Sequence, residues 1–328
     1  MSDSPAEPGV AAGAARPAGH GHSAPDACSV GFDRADVAAY GTAARAAFFV
    51  ALEQPGPWGR DAATQSHLPA ELGARLSSAC SDRGGRLSLL RRPGRHADEH
   101  HGGGHAAYLA WSGPDAWLLH AVVEDPATLL SVDLDALARG DRDAVVASLP
   151  GVAPADPVLL VCTNGRRDVC CAVRGRPVAV EAAAARPGRV WEASHTGGHR
   201  FAPTGVLLPH GATLARLDTA LATAVLDEAD HGRLPATALG PRHDRGRSGL
   251  DPDAQAAESH VRAEHGVTDL GALVTEPVAG GPAGRYAVRH RDGRAWVVEV
   301  ERREAGTLPE SCAKLPVAVV QRLPRTVG

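Results

Sequence analysis

The residues CTNGRRDVCC (162–171), followed closely by WEASHTGGHR (191–200), decide how this chain is read. They offer Cys162 and Cys171 with eight residues between them, then His195 and His199 with three between. In front of the first motif stands VLLVC (158–162), a continuous apolar run that suits a buried strand. In front of the second, RVWEASH (189–195) reads as the next strand, and a helical stretch from about Cys171 to Gly188 connects the two. Loops at the same ends of neighbouring strands face each other, so four side chains can converge on one site. Thiolates and imidazoles are the ligands that suit iron–sulfur clusters and zinc. A [2Fe-2S] rhombus takes two ligands on each iron, and two histidines can replace two cysteines on one of them. Gly197 and Gly198 argue against a helical i, i+4 pair of histidines and let the backbone come close to a bound group.

Working outward, GVLLPHG and ATLARLD form a hairpin, and DTALATAVLDEADHG (218–232) a helix. The order β-α-β-β-α with one covered core makes residues 155–236 an α/β domain compatible with a thioredoxin-like layer. Upstream, AAFFVALE (46–53), the helix LPAELGARLSSACSDRG (68–84), RLSLLRR (86–92), AAYLAWS (106–112), DAWLLHAVVE (115–124) and a helix within 125–140 run in a similar order. Residues 28–150 are therefore read as an N-terminal α/β domain, with a degenerate duplication as a hypothesis. The linker PGVAPADP (150–157) separates the two, and residues 1–27, rich in Ala, Pro, Gly and Ser, are read as a disordered tail. A second linker is expected at 240–250, then a C-terminal extension, 250–328, with a helix at 252–266 and a hairpin at 286–301 turning on Asp292-Gly293.

The formal net charge is −4 and Lys314 is the only lysine, which points to no nucleic acid and no membrane surface as partner. The N-terminus lacks the basic start and apolar core of a signal peptide, so a cytoplasmic location is expected. In that reducing compartment the six cysteines (28, 80, 162, 170, 171 and 312) are read as metal ligands or redox thiols rather than as disulfides.

The segments EQPGPWGRDA (53–62), LLRRPGR (89–95), VCTNGRRDVCCAVRG (161–175) and WEASHTGGHRFAPTGVLLPHG (191–211) resemble the sucrase/ferredoxin-like family over about residues 28–235. The resemblance implies a thioredoxin-like ferredoxin domain in which Cys162 and Cys171 bind one iron of a [2Fe-2S] cluster, and His195 and His199 the other. It implies an electron carrier rather than a catalyst. Many relatives have histidine where this chain has Asn164, which touches the surroundings of the cluster rather than its ligands.

Several readings stay open beside it. Structural zinc on the same four ligands is the main rival, although eight residues between cysteines exceeds the usual zinc spacing. Cys170 competes with Cys171 as ligand, or packs as a small hydrophobe. A thiol oxidoreductase lacks its C-x-x-C, and hydrolysis of a sugar lacks a recognisable carboxylate pair. Arg166, Arg167 and Arg200 either offset the charge of a cluster or are solvated, Ser194 either tunes it or finishes a strand, and Trp191 is read as core. HADEHHGGGH (96–105) reads as a polar loop with a weak metal-binding alternative, and EQPGPWG (53–59) as a turn or a partner surface. No G-x-G-x-x-G opens a helix, so a separate reductase is expected as redox partner.

Overall fold

Every residue of the apolar run FFVALE is buried, and it forms a strand in the middle of the molecule. The architecture comes from a computed structural model that describes residues 27–94 and 103–328. A short helix α1 (Cys28–Arg34) precedes β1 (Phe48–Glu53), and α2 (Ala70–Ser81) returns the chain to β2 (Arg86–Arg91), parallel to β1. On the other side of β1 follow β3 (His105–Trp111) and β4 (Trp117–Val123), each antiparallel to its neighbour. Helices α3 (Leu134–Arg139) and α4 (Arg142–Ser148) come next, each with an aspartate at its start, Asp133 or Asp141, accepting from a backbone amide. A two-residue strand β5 (Ala153–Pro154) then pairs with β4 at the sheet edge, inside the stretch expected as a linker.

The second half repeats this order. Strand β6 (Val158–Cys162) leads through α5 (Val169–Ala185) to β7 (Val190–Ala193), parallel to β6. Then β8 (Gly205–Leu208) and β9 (Ala212–Leu214) add antiparallel strands on the far side of β6, and α6 (Thr219–Ala229) covers them. The halves have matching strand orders, β2-β1-β3-β4 and β7-β6-β8-β9. They meet where β2 pairs antiparallel with β7 through Leu90–Ala193 and Arg91–Glu192. The result is one ten-stranded mixed sheet, completed by β10 (Asp244–Arg247) beside β9.

Strand β10 corrects the expectation of a linker at 240–250. Its DRGR sequence carries three charges, yet Asp244 and Arg245 are buried. Burial of a charge is tolerated only where hydrogen bonds replace water. Asp244 accepts from the Gly246 amide at 2.8 Å, and Arg245 donates to carbonyl and hydroxyl oxygens of two neighbouring loops.

Under the second half, Leu159, Val161 and Leu207 of the sheet pack on Val178, Ala179 and Ala182 of α5 and on Leu221, Ala222 and Val225 of α6. Each fully buried leucine contributes roughly 2 kcal/mol by leaving water. Helix α5 approaches β6 so closely that a Cβ on Gly175 would lie 2.4 Å from the Cys162 carbonyl oxygen.

Helix α7 (Pro252–His265) begins at the cap Asp251 and opens on a proline. It packs on a separate antiparallel sheet of β11 (Leu273–Pro277), β12 (Arg285–His290), β13 (Ala295–Leu308) and β14 (Val317–Thr326). The expected 286–301 hairpin is present, but β13 runs on and pairs with β14 in a longer one whose tip, 309–316, returns to the start of α5. Residues 1–26 of the expected tail lie outside the described residues, and Ala27, counted with it, is buried beside Cys28, Cys170 and Ala202. Of HADEHHGGGH, 96–102 also lies outside them, while His105 begins β3 and its ring Nδ1 lies 2.8 Å from the Glu53 carbonyl. Among the described residues no helix is long and apolar enough to cross a membrane.

Candidate functional site

Because β6 and β7 are parallel neighbours, the chain leaves both at the same end of the sheet. Cys162 is the last residue of β6, and Cys171 lies in the first turn of α5; both are buried. Asp168 caps α5 by accepting from the Cys170 amide at 3.0 Å, and Asn164 shapes the loop before it, accepting from the Arg166 amide at 3.1 Å. Asn164 also donates to the Gly59 carbonyl at 3.0 Å, so the EQPGPWG turn lies against this loop rather than facing away from it.

After β7 the chain passes His195, takes a left-handed conformation at Gly197 (φ 80°) and Gly198 (φ 71°), and enters a 3-10 turn at His199–Phe201. A Cβ on Gly198 would lie 2.3 Å from a guanidinium nitrogen of Arg245, which donates to the Gly197 carbonyl at 2.9 Å. Only glycine meets both demands.

The two loops bring Cys162, Cys171 and His195 into contact, with His199 within electrostatic reach of Cys162 and His195. The Cys162 thiol is held well below the ordinary range by the Cys171 side chain, with His195 adding to the effect and burial opposing it. Cys171 is pushed up by that same contact and by burial. Burial lowers the His199 pKa against the pull of Asp168, whose carboxylate lies 3.7 Å from His199 Nε2. The Nδ1 atoms of His195 and His199 are both buried with no hydrogen-bond partner. An orphaned nitrogen of that kind costs about 1–3 kcal/mol unless something ligates it.

Arg245 stands over this group. It is 1% exposed, and burial, helped by the like charges of Arg200 and Arg86, drops it to about 9 while Cys162 and Cys171 pull the other way. Its guanidinium donates to the Thr42 hydroxyl and to the Gly197 and Thr42 carbonyls rather than to a carboxylate. A buried cation facing thiols suits an anionic group.

The remaining sequence candidates separate clearly. Cys170 turns away from Cys162, toward Cys28 and Cys312, with its Sγ 3.7 and 3.2 Å from theirs. Ser194 Oγ accepts from the Leu89 amide at 3.1 Å, so it ties β7 to β2. Trp191 is core, with its ring edge-on to Tyr108. Arg200 pairs with Glu310 at 3.4 Å. Sequence reasoning missed Arg245, whose charged strand looked like a linker. It also missed the grouping of Cys28, Cys170 and Cys312, which no local spacing announces.

The model of the sucrase/ferredoxin-like family matches residues 39–237, more than half of the chain. No curated protein and no solved structure matches it.

Proposed function

Because the chain belongs to the sucrase/ferredoxin-like family, we propose that it is an electron-transfer protein holding a [2Fe-2S] cluster on Cys162, Cys171, His195 and His199. The observation that carries this reading is the pair of buried, unpartnered histidine Nδ1 atoms beside two buried thiols. The matching strand order of the two halves, with parallel β6 and β7 flanked by antiparallel β8 and β9, supports a thioredoxin-like ferredoxin half preceded by its relative.

When bound, such a cluster supplies one-electron transfer, at a potential of roughly −150 to +300 mV for His2Cys2 ligation. The chain's own residues do the rest. Cys162 is already drawn toward the thiolate, the form that ligates metal. Asp168 stands where it can hold the far ring nitrogen of His199, which fixes the ring and raises its basicity. Arg245 and Arg86, both within electrostatic reach of Cys162, set positive charge against ligand sulfur. Burial of both cysteines keeps water away from them. In this reading electrons arrive from a separate reductase, and a cytoplasmic setting keeps the thiols reduced.

Anaerobically purified protein should contain about two irons and two sulfides per chain, with the absorption and EPR spectra of a [2Fe-2S] centre. Replacing His195 or His199 with cysteine should shift those spectra. A colourless protein with zinc bound by two sulfurs and two nitrogens would overturn the reading, as would spectra indifferent to both replacements.

A further inference from the structure

Three cysteines remain outside that centre, brought together from distant parts of the chain. Cys28 opens α1, Cys170 lies in the first turn of α5, and Cys312 sits in the tip between β13 and β14. Their Sγ atoms form a near-even triangle: 3.2 Å for Cys170–Cys312, 3.6 Å for Cys28–Cys312 and 3.7 Å for Cys28–Cys170. Asp168 completes the group. Both of its carboxylate oxygens lie 3.9 Å from Cys28 Sγ, and one ligand atom from each of the four residues lies within 4.8 Å of all the others.

Metal-ligand geometry matches two edges of this triangle, at 3.6 and 3.7 Å, while the 3.2 Å edge is tighter. Tetrahedral zinc with bonds of about 2.3 Å holds its sulfurs about 3.8 Å apart. A disulfide would draw one pair of sulfurs to about 2 Å and leave the third cysteine without a partner. Plain packing of small apolar groups would not place a carboxylate with 0% side-chain exposure against three thiols. The Asp168 carboxylate accepts from the Ser311 hydroxyl and the Cys312 amide, each at 2.9 Å, so the hairpin tip is already oriented on it. Arg200, within electrostatic reach of Cys28, offsets the negative charge of such a ligand set.

We propose that Cys28, Cys170 and Cys312, with Asp168 as the fourth ligand, bind one thiophilic divalent cation, zinc, at a second centre distinct from Cys162, Cys171, His195 and His199. Cys28 and Cys312 both lie outside the 39–237 stretch that matches the family. The ion would therefore fasten the flanking segments, α1 and the hairpin tip, to the start of α5. The two adjacent cysteines of α5 would divide between the centres, Cys171 facing one and Cys170 the other.

The test uses the full chain, purified anaerobically from zinc-supplemented cells, with zinc, iron and sulfide assayed together and X-ray absorption recorded at the zinc edge. The expected result is about one zinc per chain, with three sulfurs near 2.3 Å and one oxygen near 2.0 Å. Cys28→Ser and Cys312→Ser should each lose most of the zinc and keep their iron, while Cys80→Ala, altered in the core far from the triangle, should keep both metals. Wild-type protein without zinc, a zinc shell of two sulfurs and two nitrogens, or serine variants that retain zinc would each overturn the proposal. A disulfide mass deficit between Cys170 and Cys312 would do the same. Should the serine variants fail to fold, the wild-type zinc shell alone decides. Iron and sulfide read the [2Fe-2S] reading independently, so the two can fail separately.

Discussion

Gly175→Ala separates two opposing effects at the point where α5 touches β6. Helix propensity alone says that alanine should stabilise the interior of α5 by about 1 kcal/mol. Space says otherwise. The new methyl would stand 2.4 Å from the Cys162 carbonyl oxygen, about 1 Å inside ordinary van der Waals contact. That carbonyl belongs to a strand held on both sides, by β7 and by β8, so the helix must give way. Inserting a methyl into a packed contact costs typically 1–3 kcal/mol. The expected net is a loss of up to about 2 kcal/mol once the propensity gain is deducted, toward the upper end because a backbone oxygen 2.4 Å away cannot swing aside. The displacement falls on the first turns of α5, which carry Cys170 and Cys171, so metal retention should drop as well. Urea unfolding followed by far-ultraviolet circular dichroism reads the first effect, and iron per chain reads the second. Gly31→Ala in α1 is the control, because its added methyl meets only Leu308 Cδ2, at 3.7 Å; it should be neutral or gain up to about 1 kcal/mol. An alanine at 175 that matches wild type in stability and iron content would refute the argument from close approach.

Three further outcomes follow from the structure. Gly198→Ala should lower stability and iron content more than Gly197→Ala, since both glycines are left-handed but only the former collides with buried Arg245, at 2.3 Å against a 3.3 Å contact with Ala44 for the latter; equal losses would show that backbone strain alone matters. Arg91→Leu strips the buried Glu192 of an ion pair at 2.8 Å and should cost about 3–5 kcal/mol; adding Glu192→Leu should recover part of it in urea unfolding, and a double variant no better than the single would defeat the idea. His210 is held down to about 4, by burial first and then by Arg247 and Arg262, with Asp269 opposing. Its folded pKa lies below the unfolded one, so its unfolded form takes up protons first, and stability falls as pH drops from about 6.5 toward 4. The loss amounts to about 3 kcal/mol at most. Thermal melts of His210→Asn should show a weaker decline than wild type over that range, and parallel curves would exclude the histidine as the cause.

The sequence revealed elements wherever one physical rule acted alone. The runs FFVALE, RLSLLR and VLLVC are buried strands because their apolar residues have nowhere else to go, and Asp218 and Asp251 mark real helix starts because amides there need acceptors. The convergence of Cys162 and Cys171 with His195 was also legible, because parallel neighbouring strands present their loops at one end. What stayed hidden was decided by contacts across long separations. DRGR at 244–247 reads as exposed, yet it pairs with β9 as a strand, and Gly197 and Thr42, far away in the chain, supply oxygens for the buried Arg245. Cys28 and Cys312 stand 142 residues to either side of Cys170, and no local pattern links positions that far apart.

The repeated strand order has a consequence of its own. In the second half, the last residue of the first strand is a sulfur donor, Cys162, and an imidazole follows the parallel strand beside it. At the corresponding places in the first half stand Glu53 and Arg92, which neutralise each other across 3.0 Å. Where the second half leaves two imidazole nitrogens unmatched, the first closes on itself. Two portions of like topology are thus unlike in chemistry, and the molecule acquires a polarity that its backbone alone would not possess.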